Sequence, residues 1–204
     1  GHWSSDVCSS DLLIYQFSSI EGADAYEAEL RAIRAFYYFH LLDMFGNVPL
    51  STDFTDTDTK ANSSRSEVYS FVKSELDAVI PLLTDKKDAS TYGRMNKWAA
   101  LYLRMQLQLN AEVFTGSAAW AGAKADADAI IASGLYSLEA NYSDNFKESN
   151  EGSTENIFVV PYDEVFAGGF NWVAMTLHYA SQNTFNLTFQ PWNGYADRKS
   201  TRLN

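Results

Sequence analysis

Few side chains in this sequence have the types and spacing that acid–base or metal chemistry requires. His40 and Asp43 lie three residues apart on one predicted helix, where the carboxylate could orient a histidine base or the pair could simply bond to a neighbouring helix. Asp53, Asp56 and Asp58 share one loop, but the glycine and glutamate that a calcium-binding EF-hand needs at set positions are missing there. We therefore expect a solvated loop and no metal site.

Two other carboxylate pairs, Asp126/Asp128 and Glu148/Glu151, have the residue types of a glycosidase. Such acids must face each other across a sugar ring. Lys124 lies four residues before Asp128 and can pair with it along a helix, so a solvent-facing surface is the favoured interpretation. The sequence also contains no phosphate loop, dinucleotide fingerprint, GxSxG or HExxH motif. We predict that the protein is not an enzyme and needs no cofactor.

The composition is that of a folded chain and disfavours several partners. The 204 residues are 46% hydrophobic and 20% charged, as in a globular domain. Fifteen basic residues against 26 acidic residues give a net charge of −11, which would be repelled by nucleic acid and anionic lipid. No apolar run approaches the roughly 20 residues that cross a bilayer.

The two ends of the chain differ in pattern from the sequence between them. Residues 1–12 and 197–204 resemble translated vector sequence, and we predict a non-native leader and a non-native tail. Cys8, the only cysteine, lies in that leader, so residues 13–196 can form neither a disulfide nor a thiolate site. The fold is therefore predicted from residues 13–196.

Two amphipathic helices are predicted in the first half of the chain. Apolar side chains recur at three- and four-residue steps on two faces of residues 23–45, so this helix should lie centrally. A second helix is predicted to begin at Ser64, with Glu67 at the spacing of a capping box, and to bury one stripe as far as Leu83. Residues 47–63 should form an extended polar loop.

Two more helices are predicted to pair as a hairpin. Asn96 should cap the third helix, which ends at Gly116. The fourth should run to Gly134 and bury Trp120 and Ile131 in its apolar stripe. The short connection favours antiparallel packing. Paired helices joined by a longer connection indicate an all-α, tetratricopeptide-like architecture.

Beyond residue 134 the pattern becomes irregular. Short strands are predicted at 156–160 and at 170–179, where apolar side chains alternate. Aromatic side chains among asparagine and glutamine suit a carbohydrate site, because aromatic faces stack on sugar C–H groups while amides bond to hydroxyls. The same composition also suits a protein interface. The residues alone leave both readings open. The aromatic residues concerned are Trp172, Tyr179, Phe185, Phe189, Trp192 and Tyr195.

Taken in order, six segments resemble one known family. In their order and spacing they are similar to the RagB/SusD family of nutrient-uptake outer-membrane lipoproteins and cover nearly all of residues 23–196. The segments are AELRAIRAFYYFHLLDMFGNVPL at 28–50, SRSEVYSFVKSELDAVIPLL at 64–83, YGRMNKWAALYLRMQLQLNAEVFTG at 92–116, ASGLYSL at 132–138, ENIFVVPYD at 155–163 and QPWNGY at 190–195.

This resemblance implies a non-catalytic binding protein, exposed at the surface of the outer membrane, with a helical superhelix and a loop-rich C-terminal part containing short strands. Family members capture oligosaccharides or other nutrients for a TonB-dependent transporter of the SusC type. On this basis Trp192 and Asn193 are expected nearest to ligand, with Trp172 and Tyr179 behind them. The signal peptide and lipid-anchored cysteine of the family are not in this sequence, so residues 13–196 are expected to be an incomplete domain. A tetratricopeptide-type scaffold that binds only protein is the alternative.

Overall fold

The computed structural model describes the backbone of residues 2–53, 55, 58–162, 165 and 172–194, and the side chains of all these residues except 2–9, 172 and 173. The described residues as far as Val159 form one compact unit, and those from Val160 onward form a second.

Most of the regular structure is α-helical, which confirms the predicted fold class. Two 3-10 turns, η1 and η2, and one pair of two-residue strands complete the described elements. The elements are α1 His2–Phe17, α2 Asp24–Phe45, β1 Val48–Pro49, β2 Asn62–Ser63, α3 Arg65–Val79, α4 Lys97–Leu109, α5 Ala111–Thr115, α6 Trp120–Ala132, η1 Tyr142–Phe146, α7 Trp172–Thr176 and η2 Tyr179–Gln182.

Helix α2 is the central helix of the first unit, as predicted. Its buried side chains recur at three- and four-residue steps, among them Ala28, Ala32 and Leu42. The helix packs against both α1 and α3, and burial of a leucine such as Leu42 contributes about 2 kcal/mol. Gly46 ends the helix in the left-handed region, with φ of 74°.

Helix α3 begins with the predicted capping box. The Ser64 hydroxyl accepts a hydrogen bond from the Glu67 amide at 3.3 Å, and the Glu67 carboxylate accepts one from the Ser64 amide at 2.7 Å. The helix ends at Val79, earlier than the buried stripe, which continues to Leu83 in the turn that follows.

Helices α4 and α6 form the predicted antiparallel hairpin. Asn96 caps α4 by accepting a hydrogen bond from the Ala99 amide at 2.9 Å. The predicted third helix is interrupted at Asn110 and continues as the five-residue α5, which Gly116 ends in a left-handed conformation.

The predicted buried stripe of α6 is wrong at two positions. Trp120 and Ile131 are 62% and 76% exposed, whereas Asp126, predicted to face solvent, is buried. Arg104 of α4 bonds to both oxygens of the Asp126 carboxylate, at 2.9 and 2.6 Å, so that the charge is compensated. The solvent-facing pair of Lys124 and Asp128 does form, at 2.6 Å.

The short strands do not lie where they were predicted. Strands β1 and β2 pair antiparallel within the predicted loop 47–63. Residues 156–160 form no strand; Ile157 and Phe158 pack against the helical core, with Phe158 edge-on to Phe36 at 5.5 Å. The alternating stretch 170–179 contains helix α7 instead, and Ala174 of this helix is buried.

Helix α1 was not predicted, and it continues across the proposed leader boundary at residue 12. Asp11 of α1 bonds to the buried guanidinium of Arg34 at 2.7 Å. Arg34 also bonds to Glu75 of α3 at 2.5 Å, and Arg31 bonds to the same carboxylate at 2.8 Å. These ion pairs join three helices at one point. The vector origin of residues 1–12 and 197–204 stays a prediction.

Candidate functional site

In the second unit, three backbone hydrogen bonds hold the segment at Trp192 against α7. The amide of Trp192 donates to the carbonyl of Ala174 at 2.6 Å, and the amide of Gly194 donates to Met175 at 2.7 Å. The amide of Asn193 donates to Leu177 at 3.1 Å, just beyond the helix. The last carbonyls of a helix have no partner within it. The returning chain supplies those partners, so the position of Trp192 is fixed by the backbone.

Trp192 is exposed, and Asn193 has a left-handed backbone conformation. The indole of Trp192 is 60% exposed although its amide is bonded to α7. Asn193 has φ of 55°, in the left-handed region that asparagine tolerates better than most residues. A Cβ at Gly194 would lie 3.3 Å from the Met175 carbonyl, so glycine permits this close approach. An exposed aromatic residue is thus followed directly in the chain by an exposed asparagine.

Trp172 lies at the start of α7, and Tyr179 lies beyond its end. Trp172 is the first residue of α7, and its side chain lies outside the described side chains. Tyr179 begins the 3-10 turn η2 and is 54% exposed. Its ring lies 4.2 Å from that of His178, whose Nδ1 accepts the Ala180 amide at 3.1 Å. The backbone therefore places Trp192 beside α7, and Tyr179 three residues beyond its end.

The first unit contains two clefts that the sequence did not predict. Cleft A, of about 650 Å³, lies between residues 87–96, 135–136 and 151–159. Cleft B, of about 660 Å³, lies between α2, α4, the end of α6 and residues 136–138 and 155–158. Tyr136 lines both. Both volumes lie within the range of small-molecule sites, roughly 300–1,000 Å³.

The residues considered for acid–base and metal chemistry make contacts that support the fold. His40 is half-buried and its ring lies 4.4 Å from Phe36; burial lowers the pKa of His40, although the charge of Asp43 opposes this. Asp53 accepts the amide and hydroxyl of Thr55 at 2.9 and 2.6 Å, which organises a turn; Asp56 lies outside the described residues.

The remaining carboxylates do not assemble a reactive centre in the part of the chain that the structure describes. Asp126 is bonded to Arg104, and Glu148 and Glu151 are both exposed. Over the described residues, no three histidine, cysteine or acidic side chains are grouped closely enough to hold a metal ion. None of the described helices combines the length and hydropathy that a membrane span requires.

The sequence matches a family of binding proteins. The sequence model of the family described as "Starch-binding associating with outer membrane" matches residues 17–107. The starch-binding protein SusD of Bacteroides thetaiotaomicron is 35% identical over 124 residues, which are 61% of this chain and 22% of that protein. The chain spans 22 to 27% of the length of the curated relatives it matches.

Solved structures match the fold. A SusD superfamily protein of Bacteroides fragilis is 24% identical, with a TM-score of 0.72 over 86% of this chain and 38% of its own. Surface glycan-binding protein A of B. thetaiotaomicron, solved in complex with laminarihexaose, is 26% identical, with a TM-score of 0.68 over 79% of this chain and 34% of its own.

The fold and the matches define a class of helical protein with tetratricopeptide-like helix pairs. Sequence and structure agree on one similarity within that class: the chain is SusD-like, matching the family model over residues 17–107 and sharing the fold of SusD-like structures. The resemblance seen in the ordered sequence motifs is thereby confirmed.

Proposed function

We propose that this chain is the helical part of a non-catalytic surface protein that captures oligosaccharides, or nutrients of similar chemistry, at the outer membrane. The name of the matched family supports both starch binding and association with that membrane. One relative is named as a starch-binding protein, and one structural neighbour was solved with a bound laminarihexaose.

The observation that carries the proposal is the exposed Trp192, followed in the chain by the exposed Asn193, on a backbone that is bonded to α7. Bonding of the Trp192 amide to Ala174 fixes the backbone before ligand arrives, so little conformational entropy is lost on binding. The ring offers a stacking surface for sugar C–H groups, and the amide offers a donor and an acceptor for hydroxyls. Trp172, the first residue of α7, and Tyr179, exposed beyond the end of that helix, are proposed to take part as well.

The proposed partner is a TonB-dependent transporter of the SusC type, to which the protein delivers its ligand. The helical pairs of the first unit supply the scaffold and the contact with the transporter. Attachment to the membrane is assigned to a lipid anchor outside this sequence. The net charge of −11 makes nucleic acid an unsuitable partner.

Calorimetric titration of the 204-residue chain with laminarihexaose and maltohexaose tests the proposal. Trp192→Ala should weaken binding about fivefold, equivalent to roughly 1 kcal/mol for one lost stacking contact. Tyr162→Ala, which removes another exposed ring of the second unit, is the matched control and should change affinity less than about twofold. Unchanged affinity of Trp192→Ala would remove Trp192 from the site.

A scaffold that binds only protein is the second candidate function. Trp120 and Ile131 lie eleven residues apart, three turns along α6, so they share one face, and both are exposed. Exposed apolar faces of this kind mark protein contacts. This function predicts that neither oligosaccharide binds, whereas Trp120→Ala, unlike Trp192→Ala, weakens binding to a protein partner.

A further inference from the structure

We infer that cleft A is a carbohydrate subsite of its own, which holds one neutral sugar unit on the first unit of the chain. The inference rests on the proposed function, because it assigns binding of the same class of ligand to a second site, cleft A. It concerns the walls formed by residues 87–96, 135–136 and 151–159.

The walls of cleft A are fixed to one another by Lys87. Its ammonium group donates to the carbonyl of Leu135 at 3.2 Å and to that of Thr154 at 3.1 Å. The same group lies 4.1 Å from the centroid of the Tyr136 ring, within the range of a cation–π contact. One side chain thus joins all three walls. A cleft held in this way exists before ligand binds, which lowers the entropic cost of binding.

Three of the four charged residues that line the cleft, Lys87, Asp88 and Arg94, are already bonded within the chain, and the fourth, Glu151, is exposed. The carboxylate of Asp88 accepts from the amide and hydroxyl of Ser90, at 2.8 and 2.5 Å. Arg94 bonds to both oxygens of Glu29, at 3.0 and 2.5 Å. A charged ligand would have to displace these bonds to gain a counter-charge. The lining therefore favours a neutral ligand.

The remaining lining groups match the two-sided chemistry of a sugar. Tyr92, 42% exposed, contributes a ring that lines cleft A and not cleft B. Phe158 and Asn156 contribute a ring and an amide that line both clefts, and Ser153 contributes a hydroxyl that donates to Asn145 at 2.7 Å. A pyranose has apolar C–H faces and a rim of hydroxyls, so it can use both kinds of group at once. Cleft B has a similar volume and includes a tyrosine, Tyr102, so it provides a matched control.

Calorimetry of the 204-residue chain with laminarihexaose and maltohexaose tests this subsite. Tyr92→Ala should weaken binding about fivefold, the size of one lost stacking contact. Tyr102→Ala in cleft B removes the same side chain and should change affinity less than about twofold. Urea denaturation of each variant verifies folding, and Tyr92 is exposed enough for its removal to leave the core intact.

The outcomes separate this inference from the proposed function. A failure of the unmodified chain to bind either probe would overturn both. Binding weakened by Trp192→Ala but unaffected by Tyr92→Ala would retain the proposed function and remove cleft A. Equal weakening by Tyr92→Ala and Tyr102→Ala would show a general effect on the fold and also overturn the subsite. Tighter binding of hexagalacturonate, a charged probe of equal length, would contradict the neutral ligand class.

Discussion

The ion pairs around Arg34 allow a test of whether α1 belongs to the fold. We predict that Asp11→Asn destabilises the chain by about 2 kcal/mol. Removing one partner of a buried pair costs roughly 3–5 kcal/mol when the other charge is left uncompensated. Arg34 is buried but keeps its bond to Glu75, so roughly half of that cost is expected. Asparagine also retains the shape of the side chain, which limits any effect on packing.

Urea denaturation followed by tryptophan fluorescence measures this loss as a shift of the unfolding midpoint by about 1 M, with an m-value of roughly 2 kcal/mol/M. Asp43→Asn, an exposed change near the C-terminal end of α2, should shift stability by less than about 0.5 kcal/mol. A double-mutant cycle with Arg34→Met should give a coupling of at least about 1 kcal/mol. Equal stabilities for Asp11→Asn and Asp43→Asn would refute the bond between α1 and α2, and the leader would then contribute nothing to folding.

The structure determines the direction in which two further changes alter stability. Burial alone would raise the pKa of Glu75, but the hydrogen bonds from Arg31 and Arg34 outweigh it and lower that pKa. The stability that this carboxylate contributes is therefore present above its unfolded pKa, about 4.3, and is lost as the pH falls through the folded pKa. Urea titrations between pH 3 and 7 should show a smaller loss of stability in acid for Glu75→Gln than for the unmodified chain. Gly122→Ala would place a Cβ 1.9 Å from Oε1 of Gln108, which must then release Asp126, so the change should lower the free energy of unfolding by about 1 kcal/mol, measured by heat or urea. In a Gln108→Ala background the same change should stabilise α6 by up to about 1 kcal/mol. A loss of stability in both backgrounds would contradict this reasoning.

Local signals in the sequence predicted the first residues of α3 and α4 and the end of α2. The cap of α3 depends on Ser64 and Glu67, which are three residues apart, and that of α4 depends on Asn96 and the amide of Ala99. Such interactions form within one helical turn, so a short window contains every group involved. The left-handed Gly46 at the end of α2 is predictable for the same reason.

Burial on α6 could not be predicted because its partner is distant in sequence. A hydrophobicity stripe assigns Asp126 to solvent, but Arg104 and Gln108, both from α4, provide the bonds that make burial of its carboxylate tolerable. Trp120 and Ile131 are apolar and fit the helical period, yet both are exposed. Periodicity identifies an apolar face, whereas the position of the neighbouring helix decides which face is covered.

The candidate sites show the same limit at the level of single contacts. Composition indicated that Trp192 could stack on a ligand, but nothing near residue 192 predicts that its amide bonds to Ala174, eighteen residues earlier. Lys87 reaches carbonyls 48 and 67 residues away, so no sequence window contains the walls of cleft A. An aromatic residue can therefore be recognised from its sequence context, while the groups that share a ligand with it depend on the tertiary fold. For this reason only a comparison of Trp192→Ala with Tyr92→Ala on the same chain can decide whether one surface or two surfaces bind the oligosaccharide.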